Sequence, residues 1–154
     1  GGFFDHYKKL NYGFGTDGAA SSNTLNPMEQ ARLFGLLGKY QDRNSAEYTA
    51  EEIWKHLMAS HQAFPFGSGR MQEGAPADLV IWDLYQPDTF PFYSPISSIL
   101  YSSNSQNVKY TMVAGEFLKY DGKLKMDTEA LMREAIRLQK ELLARGKGKA
   151  EVTY

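Results

Sequence analysis

Asp17 is the residue whose setting most invites chemistry. It lies in the turn Gly15-Thr16-Asp17-Gly18, directly after the small and aromatic run Asn11 to Gly15. A short buried strand would show that alternation, and barrel and open α/β folds place functional carboxylates where a strand runs into its loop. An Asp before Gly is also a common turn pair whose side chain bonds its own backbone, so the pattern alone fits either role. The other reactive side chains do not assemble by spacing. His56 and His61 are five positions apart, roughly 140° around a helix, whereas a metal-binding pair needs about four residues to share a face. His6 belongs to a separate segment, so all three histidines read as surface or packing residues. Ser21 and Ser22 have no histidine nearby and no nucleophile-elbow pattern around them. Gly13-Phe14-Gly15 followed by Thr16-Asp17-Gly18 lacks both the dinucleotide fingerprint and the phosphate-loop lysine.

Composition removes further classes. The 154 residues fit one domain, or one domain plus an attached element. With 42% hydrophobic and 23% charged residues the chain is an ordinary globular sequence, which excludes wholesale disorder. Seventeen Lys and Arg against eighteen Asp and Glu give a net charge of -1, so the basic footprint of a nucleic-acid binder is missing. The short basic tail Arg145, Lys147, Lys149 reads as a solvated end. Zero cysteines exclude a disulfide framework, a Cys-based zinc site and a Cys nucleophile. The strongest apolar run, Leu79 to Trp82, is far shorter than the roughly 18 residues of a membrane span, so no membrane partner is expected.

The elements that would position Asp17 follow from spacing and punctuation. Phe4, Tyr7 and Leu10 predict a short helix over 3–10, and Asn11 to Gly15 a short strand. The small, polar stretch Ala19 to Leu25 reads as a loop. Asn26 with Pro27 and Glu29 is a capping-box arrangement that opens a helix with the apolar stripe Leu33, Leu36, Leu37 and Tyr40. After a loop through Tyr48, Thr49 and Glu52 repeat the box and open a helix to about Ala63, with Ile53, Leu57 and Ser60 on one face. Pro65 ends it, and Gly67-Ser68-Gly69 makes a flexible connection. Asp78 to Leu84 reads as a strand by its β-branched and aromatic content. A loop crowded with proline and aromatic residues follows, and Ile96 to Tyr101 fits a helical turn or a strand. Val108 to Leu124 is the clearest β segment, with a bend at Ala114-Gly115 and a hairpin at Asp121-Gly122. Asp127 caps a helix through Arg145 whose stripe is Leu131, Ala135, Leu138 and Leu142; Gly146 stops it, and Lys147 to Tyr154 reads as a frayed tail. This order, a strand and helices first, then a strand-rich stretch and a closing helix, predicts two structural contexts joined near residue 70.

Several of these segments resemble one family. Tyr12-Gly13-Phe14-Gly15-Thr16-Asp17-Gly18-Ala19-Ala20-Ser21-Ser22-Asn23 is similar to the eighth-strand segment of the metal-dependent amidohydrolase superfamily, in the branch of S-adenosylhomocysteine/methylthioadenosine deaminases and triazine-type chlorohydrolases. Glu73 to Leu84, with Ala77-Asp78-Leu79-Val80, resembles the strand on which the family leaves its barrel for a small β-sandwich. Pro95 to Tyr101, Val113-Ala114-Gly115 and Asp121-Gly122-Lys123-Leu124 are similar to the segments that follow, and the closing charged helix also fits. Met58-Ala59-Ser60-His61-Gln62-Ala63-Phe64 departs from the family's usual helix end.

The resemblance implies an α/β fold: the C-terminal part of a (β/α)8 barrel, its last strand and helices (1–70), then strands of a composite β-sandwich (71–126), then a C-terminal helix and tail (127–154). It implies hydrolytic deamination or dechlorination of a small heterocyclic, nucleobase-like substrate by the complete, cytoplasmic enzyme. Asp17 matches the family's metal ligand and proton acceptor for the attacking water, and Ser21 and Asn23 are placed to line the pocket. The divalent metal, zinc or iron, would lower the pKa of that water toward about 7, where a carboxylate can take its proton. The family's remaining metal ligands precede the segment that matches residue 1. One carboxylate supplies one ligand of the four or so required, so the isolated 154-residue chain is expected to be inactive, to hold no catalytic metal and to self-associate through uncovered surface. The alternative is a non-catalytic structural or interaction module derived from the same family.

Overall fold

The computed structural model of the chain describes Tyr7 and residues 10–62 and 69–146. The expected helix over 3–10 (apart from Tyr7 and Leu10), His6, Pro65, Gly67, Ser68 and the tail after Gly146 lie outside the described residues.

Among the described residues the first half carries α1 (Ala19–Ser22), α2 (Pro27–Asp42) and α3 (Ala50–Gln62). The segment expected to be a polar loop, Ala19 to Leu25, therefore contains one helical turn. Small residues without β-branching allow it, and the Ser21 and Ser22 N–H groups close it on the Gly18 carbonyl at 2.9 and 3.1 Å. The strand expected over Asn11 to Gly15 does not form. A strand exists through its ladder, and no neighbouring strand lies beside this segment among the described residues. Asn26 caps α2 by accepting from the N–H groups of Met28 (3.1 Å) and Glu29 (3.4 Å). The reciprocal half of the capping box is redirected, because the Glu29 carboxylate accepts from the Thr24 hydroxyl instead. Thr49 opens α3 as expected, accepting from the Glu52 N–H at 3.3 Å.

The second half carries a four-stranded antiparallel sheet in the order β1 (Leu79–Trp82), β2 (Val108–Val113), β3 (Glu116–Tyr120), β4 (Lys123–Leu124). Both hairpin turns have two residues at positive φ, Ala114 (50°) with Gly115 (84°) and Asp121 (45°) with Gly122 (77°). That geometry matches the right-handed twist of the strands and fixes their register. Asp78 accepts from the Ala114 N–H at 2.7 Å and ties the start of β1 to the β2–β3 turn. Ile96 to Tyr101 resolves as helical: α4 (Pro95–Ser97) runs into a π-helical turn, Ser98–Ser102.

The core sits where α2, α3 and this turn meet. Ala31, Tyr48, Ala50, Ile53, Leu57 and Leu100 are buried, with Phe14, Met28, Phe34, Trp54, Ile96 and Tyr101 packed around them. Wide helical turns leave carbonyls without ordinary partners. Arg32 on α2 satisfies two, donating through Nε to Leu100 O (2.7 Å) and Nη2 to Ser103 O (2.6 Å). The buried face of α2 is Ala31, Gly35 and Gly38, not the leucine stripe. Leu33, Leu36, Leu37 and Tyr40 face outward, with Tyr40 83% exposed. The closing helix α5 (Thr128–Gly146) is capped by Asp127, which accepts from the Ala130 N–H at 2.8 Å. It buries no residue, and Leu131 and Leu142 on its stripe are 60% and 68% exposed. No helix among the described residues is long and apolar enough to cross a membrane.

Candidate active-site segment

Asp17 has φ of 57°, a left-handed conformation that Asp tolerates because its short side chain bonds nearby backbone. Its Oδ1 accepts from the Gly18 N–H at 2.7 Å, and the Thr16 hydroxyl donates to its carbonyl at 3.1 Å. The carboxylate is exposed, and Oδ2 accepts no hydrogen bond among the described residues. One oxygen is thus anchored while the other is open to a ligand or a proton. Ser21 and Asn23 sit in and just after α1, both exposed. Asn23 has φ of 58° and closes α1 through its N–H to Ala19 O at 3.0 Å. No hydrogen bond joins either side chain to Asp17 among the described residues.

The backbone leading to Asp17 is held from α3. The Phe14 N–H donates to Ser60 Oγ at 2.7 Å, and His56 Nδ1 lies 3.0 Å from Tyr12 O. The His56 ring also stacks on Tyr12, centroids 3.9 Å apart and planes within 9°. Gly13 makes the approach possible, because a Cβ there would stand 2.3 Å from Ser60 Oγ. Beneath the segment lies an aromatic cluster: Tyr12 and Phe14 contact Phe34 with centroids 5.5 and 5.2 Å apart. Burial, followed by the charges of Glu52 and Tyr48, pushes the Tyr12 hydroxyl up to about 12.

Sequence reasoning leaves His56 as a surface or packing histidine, and its stack on Tyr12 makes it a packing one; it places Ser60 on one face of α3 with Ile53 and Leu57. It misses that the pair contacts the segment leading to Asp17; four-residue spacing puts both on one face of α3, but nothing in the sequence points that face at Gly13. A hollow of about 270 Å³ beside the π-helical turn is lined by Thr89, Phe92, Ser98 and Tyr101 among others. Thr89 donates to Leu84 O and Ser98 to Thr89 O, while the buried Tyr101 hydroxyl has no hydrogen-bond partner among the described residues.

The sequence model of the amidohydrolase family matches residues 6–118, which include Asp17 and most of the sheet. The chain belongs to the amidohydrolase family. It is 38% identical over 136 residues to a 5-methylthioadenosine/S-adenosylhomocysteine deaminase of Caldicellulosiruptor saccharolyticus, covering 86% of this chain and 32% of that one. Its fold is similar to a zinc-bound adenosine deaminase from Xanthomonas campestris, at 26% identity and a TM-score of 0.82, over 90% of this chain and 33% of that one. The zinc-complexed atrazine chlorohydrolase TrzN from Arthrobacter aurescens shares the fold at 23% identity and a TM-score of 0.77, over 89% of this chain and 32% of that one. The chain thus spans about a third of the length of the proteins it matches.

The family implies a divalent metal. Among the described residues no group of three or more His, Cys, Asp or Glu is arranged to hold one. The open Oδ2 of Asp17 fits a single metal ligand, and a complete site needs donors beyond these residues.

Proposed function

We propose that this chain is the C-terminal third of a hydrolytic deaminase that acts on the adenine-type ring of a modified nucleoside, of the 5-methylthioadenosine/S-adenosylhomocysteine kind. The observation that carries the reading is the 38% identity over 136 residues to such a deaminase. Residues 1–70 would then be the end of the barrel, 71–126 the sandwich strands and 127–154 the closing helix and tail. The outward leucines of α2 and the uncovered stripe of α5 support this reading over a free-standing module, since a module would bury such faces.

In this reaction water adds to the ring carbon that bears the amino group, the C–N bond breaks, ammonia leaves and a ring carbonyl remains. A zinc or iron ion, when bound, acidifies the water. Asp17 would take one water proton and return it to the departing nitrogen, the second water proton ending on the ring nitrogen beside the new carbonyl, while the Gly18 N–H keeps the carboxylate aimed. Ser21 and Asn23, exposed just beyond, would border the ring.

The test is the complete reading frame. A region bearing a His-x-His pair, in frame upstream of residue 1, should encode a polypeptide that releases ammonia from 5-methylthioadenosine. Dechlorination of a triazine without deamination would favour the chlorohydrolase branch. A start codon immediately before the Gly1 codon would favour the module.

A further inference from the structure

We propose that the aromatic loop between β1 and α4, residues 85–94, is the surface through which two copies of the complete polypeptide associate. Tyr93 of each copy enters the hollow beside the π-helical turn of the other. The inference goes beyond the deaminase reading and needs none of its chemistry. The loop packs its rings on one another at the surface. Tyr85 stacks on Phe90 with centroids 5.2 Å apart and planes at 22°, and Phe92 meets both edge-on at 6.2 and 6.4 Å. Tyr85 is 76% exposed, Phe90 53% and Tyr93 105%, so the Tyr93 ring stands out into solvent. The backbone beneath is fixed: Thr89 is buried with its hydroxyl donating to Leu84 O at 2.9 Å, and the Phe90 N–H donates to Gln86 O at 2.8 Å. Rings held in place before contact lose little freedom on binding.

Both halves of a contact lie side by side here. Tyr93 stands at the rim of the hollow, and the Ser97 and Ser102 hydroxyls on its wall make no hydrogen bond among the described residues. The hollow, about 270 Å³, admits one aromatic side chain, whose phenol can then bond these hydroxyls. A knob beside a matching hole is what a two-fold contact requires, because the axis gives each copy both roles. Charge agrees. Over residues 85–102 the one charged side chain is Asp88, and its carboxylate accepts from the Asn104 and Asn107 amides at 3.0 and 3.2 Å. Two such patches meet without like-charge repulsion. At about 150–250 Å² per aromatic side chain, the exposed shares of the three rings offer about 350–600 Å² per copy. Across a two-fold that makes about 700–1,200 Å², the low end of specific interfaces, so the dimer is weak and reversible. The rest of the polypeptide is the poorer occupant. The faces it would cover, on α2 and α5, are aliphatic like a core, whereas tyrosine tips beside free hydroxyls suit a surface that is wet when the copies part.

The experiment measures the dimer dissociation constant of the complete polypeptide by sedimentation velocity over a concentration series, for wild type, Tyr93→Ser and Ser102→Trp. Both positions are exposed, so both variants should unfold as wild type does. Tyr93→Ser removes the knob and Ser102→Trp fills the hole. Each should raise the constant about 10²-fold or more, since an anchor ring is lost from both sides of the interface. Mixed one to one, the two variants should associate about tenfold more tightly than either alone, because Tyr93 of one variant finds the open hollow of the other. A wild-type polypeptide that stays monomeric, a dimer that neither variant weakens, or weakening without recovery in the mixture would each overturn the proposal. Ammonia release from 5-methylthioadenosine is read on the same wild-type sample; its absence from an intact dimer would overturn the deaminase reading and leave the interface standing.

Discussion

Gly35 on α2 sits where a methyl group has nowhere to go, so Gly35→Ala should destabilise the fold even though alanine is the better helix former. A Cβ at Gly35 would stand 2.6 Å from Ile53 Cδ1 and 2.8 Å from the Tyr101 hydroxyl oxygen. Ile53 is 1% exposed and locked in the core, and Tyr101 lies under Lys39, whose Nζ is 5.5 Å from its ring. Apolar contact wants roughly 3.5–4.0 Å, so α2 must retreat by about 1 Å or the neighbours must leave their rotamers. Overpacking of this kind costs about 1–3 kcal/mol, against a helix-propensity gain of about 0.8–1 kcal/mol. The net expectation is a loss of about 1 kcal/mol. Tyr101→Phe provides the control. That hydroxyl is shut off from solvent with no hydrogen-bond partner among the described residues, so its removal should be neutral or stabilise by about 1 kcal/mol. It also deletes one of the two clashing atoms, so the double variant should be more stable than the single effects predict, by about 0.5–1 kcal/mol. Urea unfolding followed by far-ultraviolet circular dichroism, at one fixed chain concentration, reads all four species. A Gly35→Ala chain more stable by the full propensity gain, or a Tyr101→Phe chain that loses stability, would refute the packing described for this core.

Three further outcomes follow from the same geometry. The Tyr12 phenol should titrate near 12 rather than 10, and since the folded state then holds a proton the unfolded chain has released, stability should fall as pH rises from about 10 to 12; absorbance titration of wild type against Tyr12→Phe checks this, and a Tyr12 that ionises with the exposed tyrosines would contradict it. Asn26→Ala should cost about 1 kcal/mol through loss of the α2 cap, measurable by the same urea unfolding, whereas no change would mean that Met28 and Glu29 find other acceptors. The isolated chain should elute as a dimer or larger, because α2 and α5 expose broad leucine faces; light scattering that returns a sharp 17.4 kDa species with cooperative unfolding would show that it closes its own surface.

Much of this fold is written in local signals. The caps at Asn26, Thr49 and Asp127, the Asp121-Gly122 hairpin and the strand at Leu79 each depend on a few adjacent residues, and each forms where the pattern places it. The misreadings come from information held elsewhere in space. Hydrophobic periodicity picks the large leucines as the inner face of α2, yet Ala31, Gly35 and Gly38 pack inward because small residues let Tyr48 and Ile53 come close. The alternation at Tyr12 and Phe14 suggests a strand, but a ladder needs a neighbour, and none lies beside it among the described residues, where Ser60 and His56 of α3 meet the segment. Asp17 is legible as a turn residue from Gly15 to Gly18; its open oxygen and the contacts of α3 with the residues before it are long-range facts. No pairwise spacing announces a bond between residues 14 and 60.

Asp17→Asn in the complete polypeptide, assayed for ammonia release and for bound metal side by side with wild type, is the measurement that bears most directly on the account. Asn keeps the size of the side chain and a carbonyl to accept from the Gly18 N–H, but it removes the charge and the ability to take a proton. Base catalysis alone contributes ~10²–10⁴-fold, so turnover should fall by at least that order and metal content should drop with it. Activity within about tenfold of wild type, with metal retained, would be too small a loss for a general base and would reduce Asp17 to a turn residue.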